Sequence, residues 1–340
     1  MLKRQFVDKL DEGDSIDDLF VVKSLRQSET KAGKPYLALT IMDRTGEIAG
    51  PIWDEVDHYR DICQPGKIIH LSGTLGSFQG SKQLKVTDAR PVAEEDVDLA
   101  SFLPTTTKNR EDMAFDLQKL VLSVEDPFVR KLLLKFFKRS KNWSLFQKAP
   151  AAKGIHHAYI GGLLEHSLSV AQLADHMAGH YLGVNRSLLL AGALLHDVGK
   201  IAELSYSHGA IDYTDCGRLK GHLVIGSEMV ADAAQEIKDF PLETREQIQH
   251  LILSHHGRRE YGSPIVPMTV EAFLLNFLDE IDAKMNVTEQ LRRKIDANTM
   301  EWTDYQRHLE RYLFLRGLDS RVKGVQYDDG DPAARQQSLF

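Results

Sequence analysis

An imidazole and a carboxylate stand side by side at His196-Asp197, in the run Leu194-Leu195-His196-Asp197-Val198-Gly199-Lys200, where an apolar helical pattern breaks at a glycine. His166 lies upstream, His222, His255 and His256 follow, and Asp279 and Asp282 come later; eleven of the fourteen histidines fall between His156 and His256. Imidazole nitrogens mixed with carboxylate oxygens suit a divalent ion of borderline hardness. Such ions polarise a phosphoryl oxygen and lower the pKa of a water, and two of them clamp the attacking and leaving oxygens of an in-line displacement. Taken alone, a His-Asp pair at a helix end is more often a cap. The surrounding histidines and carboxylates turn the reading toward a hydrolytic metal centre.

Five helices must position these groups. After Gly161-Gly162, residues Leu163, Leu164, Leu168, Val170, Ala171 and Ala174 give an apolar face and set His166 in the first turns. Residues 187–197 form a second, nearly all-apolar helix that ends at His196 and Asp197, and Gly199 lets the chain turn closely around an ion. A third, over 220–237, carries His222 near its start. A fourth, over 245–256, ends in His255-His256-Gly257, and spacing does not say which histidine is the ligand. The fifth, over 269–285, puts Asp279 and Asp282 on one face by their i,i+3 separation. A site shared by facing helices is the usual solution for a metal in an all-α fold.

The remaining charged and imidazole groups divide in two. Asp282 reads as a hydrogen-bonding or substrate-side group rather than a primary ligand. Lys200 is either a solvated lysine favourable to a helix C-terminus or a contact to the scissile phosphate, and the directed turn at Gly199 favours the second. Arg258 and Arg259 follow His255-His256-Gly257, where they meet a phosphate near the metals or stand as rim charges. His156, His157, His176, His180, His208 and His250 read as helix-surface or core histidines.

The first hundred residues carry a different pattern. Tyr36-Leu37-Ala38-Leu39-Thr40-Ile41-Met42 alternates with Leu37, Leu39 and Ile41 on one face. Together with strands over 19–25, 48–53, 67–75 and 83–87, and a helix over 54–62, it gives five strands with a helix between the third and fourth. That order is the OB-fold barrel, a platform for single strands. Its candidate nucleic-acid contacts are Lys34, Tyr36, Trp53, Phe78, Lys82 and Lys85, although Tyr36 and Trp53 are equally suited to filling the barrel. Phe78, at a hairpin tip over 78–82, is the hardest of them to bury. An acidic run from Glu94 to Asp98, then Pro104-Thr105-Thr106-Thr107, marks a boundary, after which the pattern reads as helical to about Leu315. Residues 128–139 form an amphipathic helix with a basic polar side that would lead a nucleic-acid strand toward the metals, or serve only as a solvated face.

Composition sets the class. At 340 residues the chain has room for more than one core, and 42% apolar with 27% charged residues is ordinary for a water-soluble protein. Cys63 and Cys216 are isolated, so neither a disulfide framework nor a thiolate zinc site is expected. Met1-Leu2-Lys3-Arg4-Gln5 leads into Asp8, Asp11 and Glu12 with no apolar signal core, and no stretch reads as membrane-spanning; the cytoplasm is the expected compartment. A net charge of −7 means that a nucleic acid must be met by local patches.

These residues carry a resemblance. His166, His196-Asp197 and Asp279 resemble the ligand signature of the HD phosphohydrolase superfamily, which takes its name from the dipeptide. His222, His255 and His256 resemble the extra ligands of members that hold two metals. Gly161-Gly162-Leu163-Leu164-Glu165-His166-Ser167, His196-Asp197-Val198-Gly199-Lys200, Gly221-His222, Ser254-His255-His256-Gly257 and Leu278-Asp279-Glu280-Ile281-Asp282-Ala283-Lys284-Met285 together resemble the YhaM family. That family comprises bacterial 3′-to-5′ exoribonucleases with an OB domain ahead of an HD domain, and the resemblance runs from about residue 15 to residue 285. Asn276 departs from it, since many relatives carry histidine there.

The residue patterns give an OB barrel over 1–100, a helical connector over 101–153 and a flexible tail over 319–340, and the resemblance implies an all-α HD-type domain over 154–318. It implies a metal-dependent phosphodiesterase that degrades single-stranded RNA from the 3′ end, with Asp197 bridging two ions and Asp197 and Lys200 catalytic. Mn²⁺ is favoured, and Fe²⁺, Co²⁺, Ni²⁺ and Zn²⁺ fit the same donors. Single-stranded DNA and a second copy of the chain remain open as partners. The rivals are an HD phosphohydrolase of nucleotides or cyclic dinucleotides with a regulatory OB domain, and a non-catalytic nucleic-acid-binding adaptor.

Overall fold

The computed structural model describes residues 3–30, 33–78, 81–93, 97, 101–138, 140–154, 157–206 and 211–318. Most of the acidic run 94–98, together with Arg139, His156, His208 and the tail from Asp319, lies outside them. The first unit is built from β1 (Ser15–Glu29), β2 (Pro35–Asp43), β3 (Gly46–Ala49), α1 (Val56–Ile62), β4 (Ile68–Phe78) and β5 (Ser81–Pro91). The strands close into a barrel in the order β1-β2-β3-β5-β4. β1 is long enough to serve two neighbours: Ser15 to Val21 pair with β4, and Val21 to Glu29 pair with β2, across a bulge between Val22 and Ser24. Closure comes from a single parallel contact, Ala49 opposite Gln83. Leu37, Leu39 and Ile41 point inward, each at most 1% exposed, and meet Ile16, Phe20, Val22, Ile69, Leu71 and Leu84 in one core. The third strand is shorter than the expected 48–53, and Ile52 keeps only a bridge to Leu37.

The second unit is helical. Its elements are α2 (Arg110–Leu122), α3 (Pro127–Phe137), α4 (Lys141–Phe146), α5 (Gly162–His180), α6 (Arg186–Leu195), α7 (Lys200–Glu203), a small ribbon of β6 (Leu204–Ser205) and β7 (Asp212–Tyr213), α8 (Asp215–Gln235), α9 (Leu242–Ser254) and α10 (Val270–Arg292). Side-chain caps start most of the long helices: Asn109, Asp126, Asn185, Thr214 and Thr269 each accept a first-turn N–H. Every residue of α6 from Ser187 to Leu195 is buried, so this helix is the axis of the core. Gly192 lets the neighbours close in, since a Cβ there would stand 2.9 Å from Leu251 and 3.1 Å from Leu275. On α10 one face turns inward while Phe273, Phe277, Ile281 and Met285 remain exposed.

The helical reading to Leu315 needs correction. The last helix among the described residues ends at Arg292, and β8 (Met300–Trp302) pairs with β9 (Phe314–Arg316) as an antiparallel ribbon. The cause is local turn chemistry: the Asp296 carboxylate accepts the Asn298 N–H, which competes with a helical turn. Among the described residues no helix is long and apolar enough to cross a membrane.

Candidate metal centre

Five histidines converge from four places, and each is aimed by its Nδ1. His196 and His255 cap the ends of α6 and α9, and each sets Nδ1 against the carbonyl three residues back, Ala193 O at 2.9 Å and Ile252 O at 2.8 Å. Those carbonyls belong to the last helical turn and lack helical partners, so the cap fixes the ring and occupies an orphan acceptor together. His166 of α5 sets Nδ1 2.8 Å from Asp282 Oδ2. His256 holds Tyr261 O at 2.9 Å, brought back by a turn at Arg259–Tyr261. His222 follows a break in α8 at Gly221, where φ is +72°, and Glu203 Oε1 accepts both its backbone N–H and its Nδ1, each at 2.9 Å. A carbonyl or carboxylate on Nδ1 fixes a proton there and leaves Nε2 pointing inward.

The inward nitrogens face one another. His166 and His196 approach to 3.0 Å between Nε2 atoms, and His222 and His256 to 3.3 Å. His166 Nε2 also stands 3.1 Å from Asp279 Oδ1. Ring nitrogens opposed in this way need a proton or a metal ion between them. Two ligands each about 2.0–2.1 Å from one ion stand roughly 3–3.4 Å apart, which is the spacing seen here.

Asp197 divides the cluster. Its Oδ2 lies 3.4 Å from His196 Nε2, 3.6 Å from His166 Nε2 and 2.7 Å from the Lys200 ammonium. Its Oδ1 lies 3.4 Å from His222 Nε2 and 3.7 Å from His255 Nε2. That Oδ1 is buried and has no hydrogen-bond partner among the described residues. An orphaned buried carboxylate oxygen facing imidazole lone pairs is costly unless a cation completes it. The donor set therefore fits divalent metal, and the HD fold implies dependence on it.

The electrostatics follow the same geometry. Burial opposes charge on His166, but Asp279 and Asp282 outweigh it and push the imidazole up to about 10. Burial and the neighbouring His256 and His196 keep His255 neutral, well below its ordinary range. Burial works against Asp197, Asp279 and Asp282 as anions, yet Lys200 and the imidazoles of His196 and His222 hold Asp197, and neighbouring imidazoles hold Asp279 and Asp282, below the usual carboxylate range. Lys200 is itself buried, and Asp197 overcomes the burial penalty and raises it.

Not every residue sits as expected. Gly199 does not bend the chain around an ion: its backbone is helical, and a Cβ would stand 2.1 Å from His222 O and 2.7 Å from Gly226 N. It admits α8 and thereby brings His222 into the cluster. His157, read above as an ordinary surface or core histidine, is buried beside the site, with Nε2 2.9 Å from Asp282 Oδ2 and Nδ1 2.9 Å from the Tyr159 hydroxyl. Its loop carries no periodicity from which this could be read. Glu203, the last residue of α7, lies six residues beyond Asp197, and no pattern in the sequence links it to His222. Asp282 also receives the Ser169 hydroxyl. Asn276 donates to His255 O at 2.7 Å and supports the cap. Arg258 and Arg259 are exposed just beyond His256. His176 and His180 are exposed on α5, and His250 accepts from Met268 N.

On the barrel, Tyr36 and Trp53 do not fill the interior. They stack on each other at 4.7 Å, with Trp53 45% exposed, and Lys34 lies beside them paired to Asp54 at 2.8 Å. Lys85 is exposed, while the Lys82 ammonium is held by Leu10 O and Asp11. Phe78 closes β4, and its side chain lies outside what the structure describes.

A closed OB barrel followed by a helical domain whose His, His-Asp and Asp converge defines an OB–HD protein. The chain matches the HD domain over residues 163–284 and the OB-fold nucleic acid binding domain over residues 21–92. The 3′-5′ exoribonuclease YhaM of Geobacillus sp. (strain WCH70) is 33% identical over 311 residues, covering 91% of this chain and 94% of that protein. Its counterpart in Bacillus subtilis (strain 168) is 33% identical and covers 89% and 95%; that of Oceanobacillus iheyensis is 34% identical and covers 83% and 88%. The chain belongs to the YhaM family.

Proposed function

We propose that this chain is a metal-dependent 3′-to-5′ exoribonuclease acting on single-stranded RNA. The observation that carries the reading is Asp197, whose two oxygens face two different sets of imidazole lone pairs. His166, His196, Asp197 and Asp279 would hold one divalent ion, and Asp197, His222, His255 and His256 a second. Mn²⁺ is the favoured ion. When bound, the ions supply Lewis-acid polarisation of the phosphodiester and an activated water. The protein's part is positioning. Asp282 and Glu203 lock the imidazoles, and Lys200 stands beside Asp197, where it stabilises charge on the scissile group. Arg258 and Arg259, exposed past His256, take a phosphate at the rim. The Tyr36–Trp53 stack, with Lys34 and Lys85, offers rings and cations to a strand on the barrel.

The relatives' names support RNA as substrate and 3′-to-5′ polarity, and their near-complete overlap with this chain supports transfer of both. Stacked rings do not read a 2′-hydroxyl, so single-stranded DNA should bind the barrel as well. The exposed stripe Phe273, Phe277, Ile281 and Met285 makes self-association worth a sedimentation run. A cytoplasmic location accords with RNA as substrate.

A turnover screen tests the reading. Purified protein with Mn²⁺ should release mononucleotides from single-stranded RNA and leave cyclic dinucleotides and free nucleotides largely intact. Faster turnover of the small nucleotides would replace the reading with a nucleotide phosphohydrolase. Metal binding without any turnover would leave an adaptor.

A further inference from the structure

Residues 300–316 belong to neither the barrel nor the metal cluster, and they display rings that nothing in the described chain covers. In the ribbon Met300 stands opposite Arg316 and Trp302 opposite Phe314. Directly opposed antiparallel residues, and those two further on, share a face, so Met300, Trp302, Phe314 and Arg316 lie together. Trp302 and Phe314 pack with centroids 5.0 Å apart, and one rung nearer the tip Tyr305 and Tyr312 pack at 5.2 Å. All four rings are exposed, from 49% at Tyr305 to 69% at Trp302.

The ribbon is firmly mounted on the helix that carries Asp279 and Asp282. Arg292 Nε donates to Arg316 O at 2.8 Å, and Leu318 N to Arg292 O at 3.1 Å. Gly317 sits so close to the Asp296 carbonyl that a Cβ would stand 2.2 Å from it. From Asp279 to Arg292 the helix rises about 20 Å, a span that a few nucleotides of extended single strand cover.

A contiguous set of exposed rings marks a binding surface, for bases or for another protein. Here the exposed large groups of the ribbon are four aromatic rings and one methionine, arranged in two-ring rungs, with no leucine or isoleucine among them. Arg316 stands on the ring face itself, and Arg307 and Arg311 stand at the tip. Asp304 and Glu310 balance the tip charge, so the attraction rests on stacking more than on net charge. We propose that the ribbon 300–316 is a base-stacking platform for single-stranded RNA, holding nucleotides on the 5′ side of the end that enters the metal centre. The proposal rests on the ribonuclease reading above and names a contact surface additional to the barrel.

The test uses the full-length, metal-loaded protein with the paired changes Trp302→Ala/Phe314→Ala and Tyr305→Ala/Tyr312→Ala. Either pair should weaken binding of a long single-stranded RNA by roughly tenfold or more at every salt concentration, because each base stacked is worth about 1–3 kcal/mol. The slope of log Kd against log salt should stay unchanged, since that slope counts phosphate contacts. Hydrolysis of a dinucleotide should also stay unchanged, which shows that the variants are folded. Unaltered affinity for long RNA overturns the proposal. So does unaltered affinity accompanied by conversion of a wild-type oligomer to monomer, which would assign the rings to a contact between copies of the chain. In the unmodified protein, RNA carrying 5-iodouridine several nucleotides from a phosphorothioate-protected 3′ end should cross-link to Trp302, Tyr305, Tyr312 or Phe314; cross-links at none of them contradict it. If wild type binds long RNA but hydrolyses neither RNA nor dinucleotide, the ribonuclease reading fails while the affinities still judge the ribbon.

Discussion

Asp197 is the residue on which both halves of the centre depend, because one carboxylate reaches His166 and His196 with one oxygen and His222 and His255 with the other. Asp197→Asn replaces an anionic oxygen by an amide that is a poor ligand. We expect bound metal to fall and RNA hydrolysis to drop at least about a thousandfold, with the fold retained by circular dichroism. Full metal occupancy and near-normal turnover in that variant would remove Asp197 from the centre. His166 sets the pH dependence. Asp279 and Asp282 push it up to about 10, so at neutral pH its Nε2 carries a proton that must leave before it can ligate. Apparent metal affinity should therefore rise as pH rises through the neutral range. Calorimetry in two buffers of different ionisation enthalpy should count about one proton released; a count of zero contradicts this. His196-Asp197 was legible at this scale because both groups close an apolar helix. His157 and Glu203 were not, because their roles depend on tertiary contacts, a loop reaching Asp282 in one case and the packing of α7 on α8 in the other.

At the scale of elements, the centre is a consequence of helix ends. α6 and α9 stop at histidines that bond backward to their own last turns, and α8 breaks at Gly221 so that Glu203 can hold His222. α7 and α8 meet at Gly199, where any side chain would enter the His222 carbonyl. Gly199→Ala should cost about 1–3 kcal/mol of stability and displace His222, weakening metal binding at the proposed centre. Thermal unfolding and elemental analysis check this: an unchanged Tm with unchanged metal content would mean that the close approach does not matter. Apolar periodicity located the helices, since a buried stripe shows in the sequence. It missed the break inside α8 and the ribbon after Arg292, because a single glycine and an Asx turn alter the backbone without altering hydrophobic pattern.

Across the whole molecule, the barrel offers a surface and the helical domain a reaction centre. The alternation of Leu37, Leu39 and Ile41 was enough to place β2, but barrel closure through Ala49 and Gln83 depends on a contact between distant strands that no local pattern encodes. The same limit applied to Tyr36 and Trp53, whose outward stacking appears only when β2 and the segment that follows β3 are side by side. Trp53→Ala in the full chain should weaken long single-stranded RNA about fivefold or more and leave dinucleotide hydrolysis unchanged. Equal affinity in variant and wild type would leave the barrel without a role in holding substrate. The claim that unites these scales is that the histidine–aspartate cluster removes nucleotides from the 3′ end of RNA only when charged with divalent metal. The most direct measurement follows 5′-labelled single-stranded RNA with chelator-stripped protein before and after Mn²⁺ is restored. We predict no cleavage at first, then a ladder that shortens one nucleotide at a time from the 3′ end. Undiminished cleavage by the stripped protein, or immediate release of the labelled 5′ nucleotide, would contradict the account.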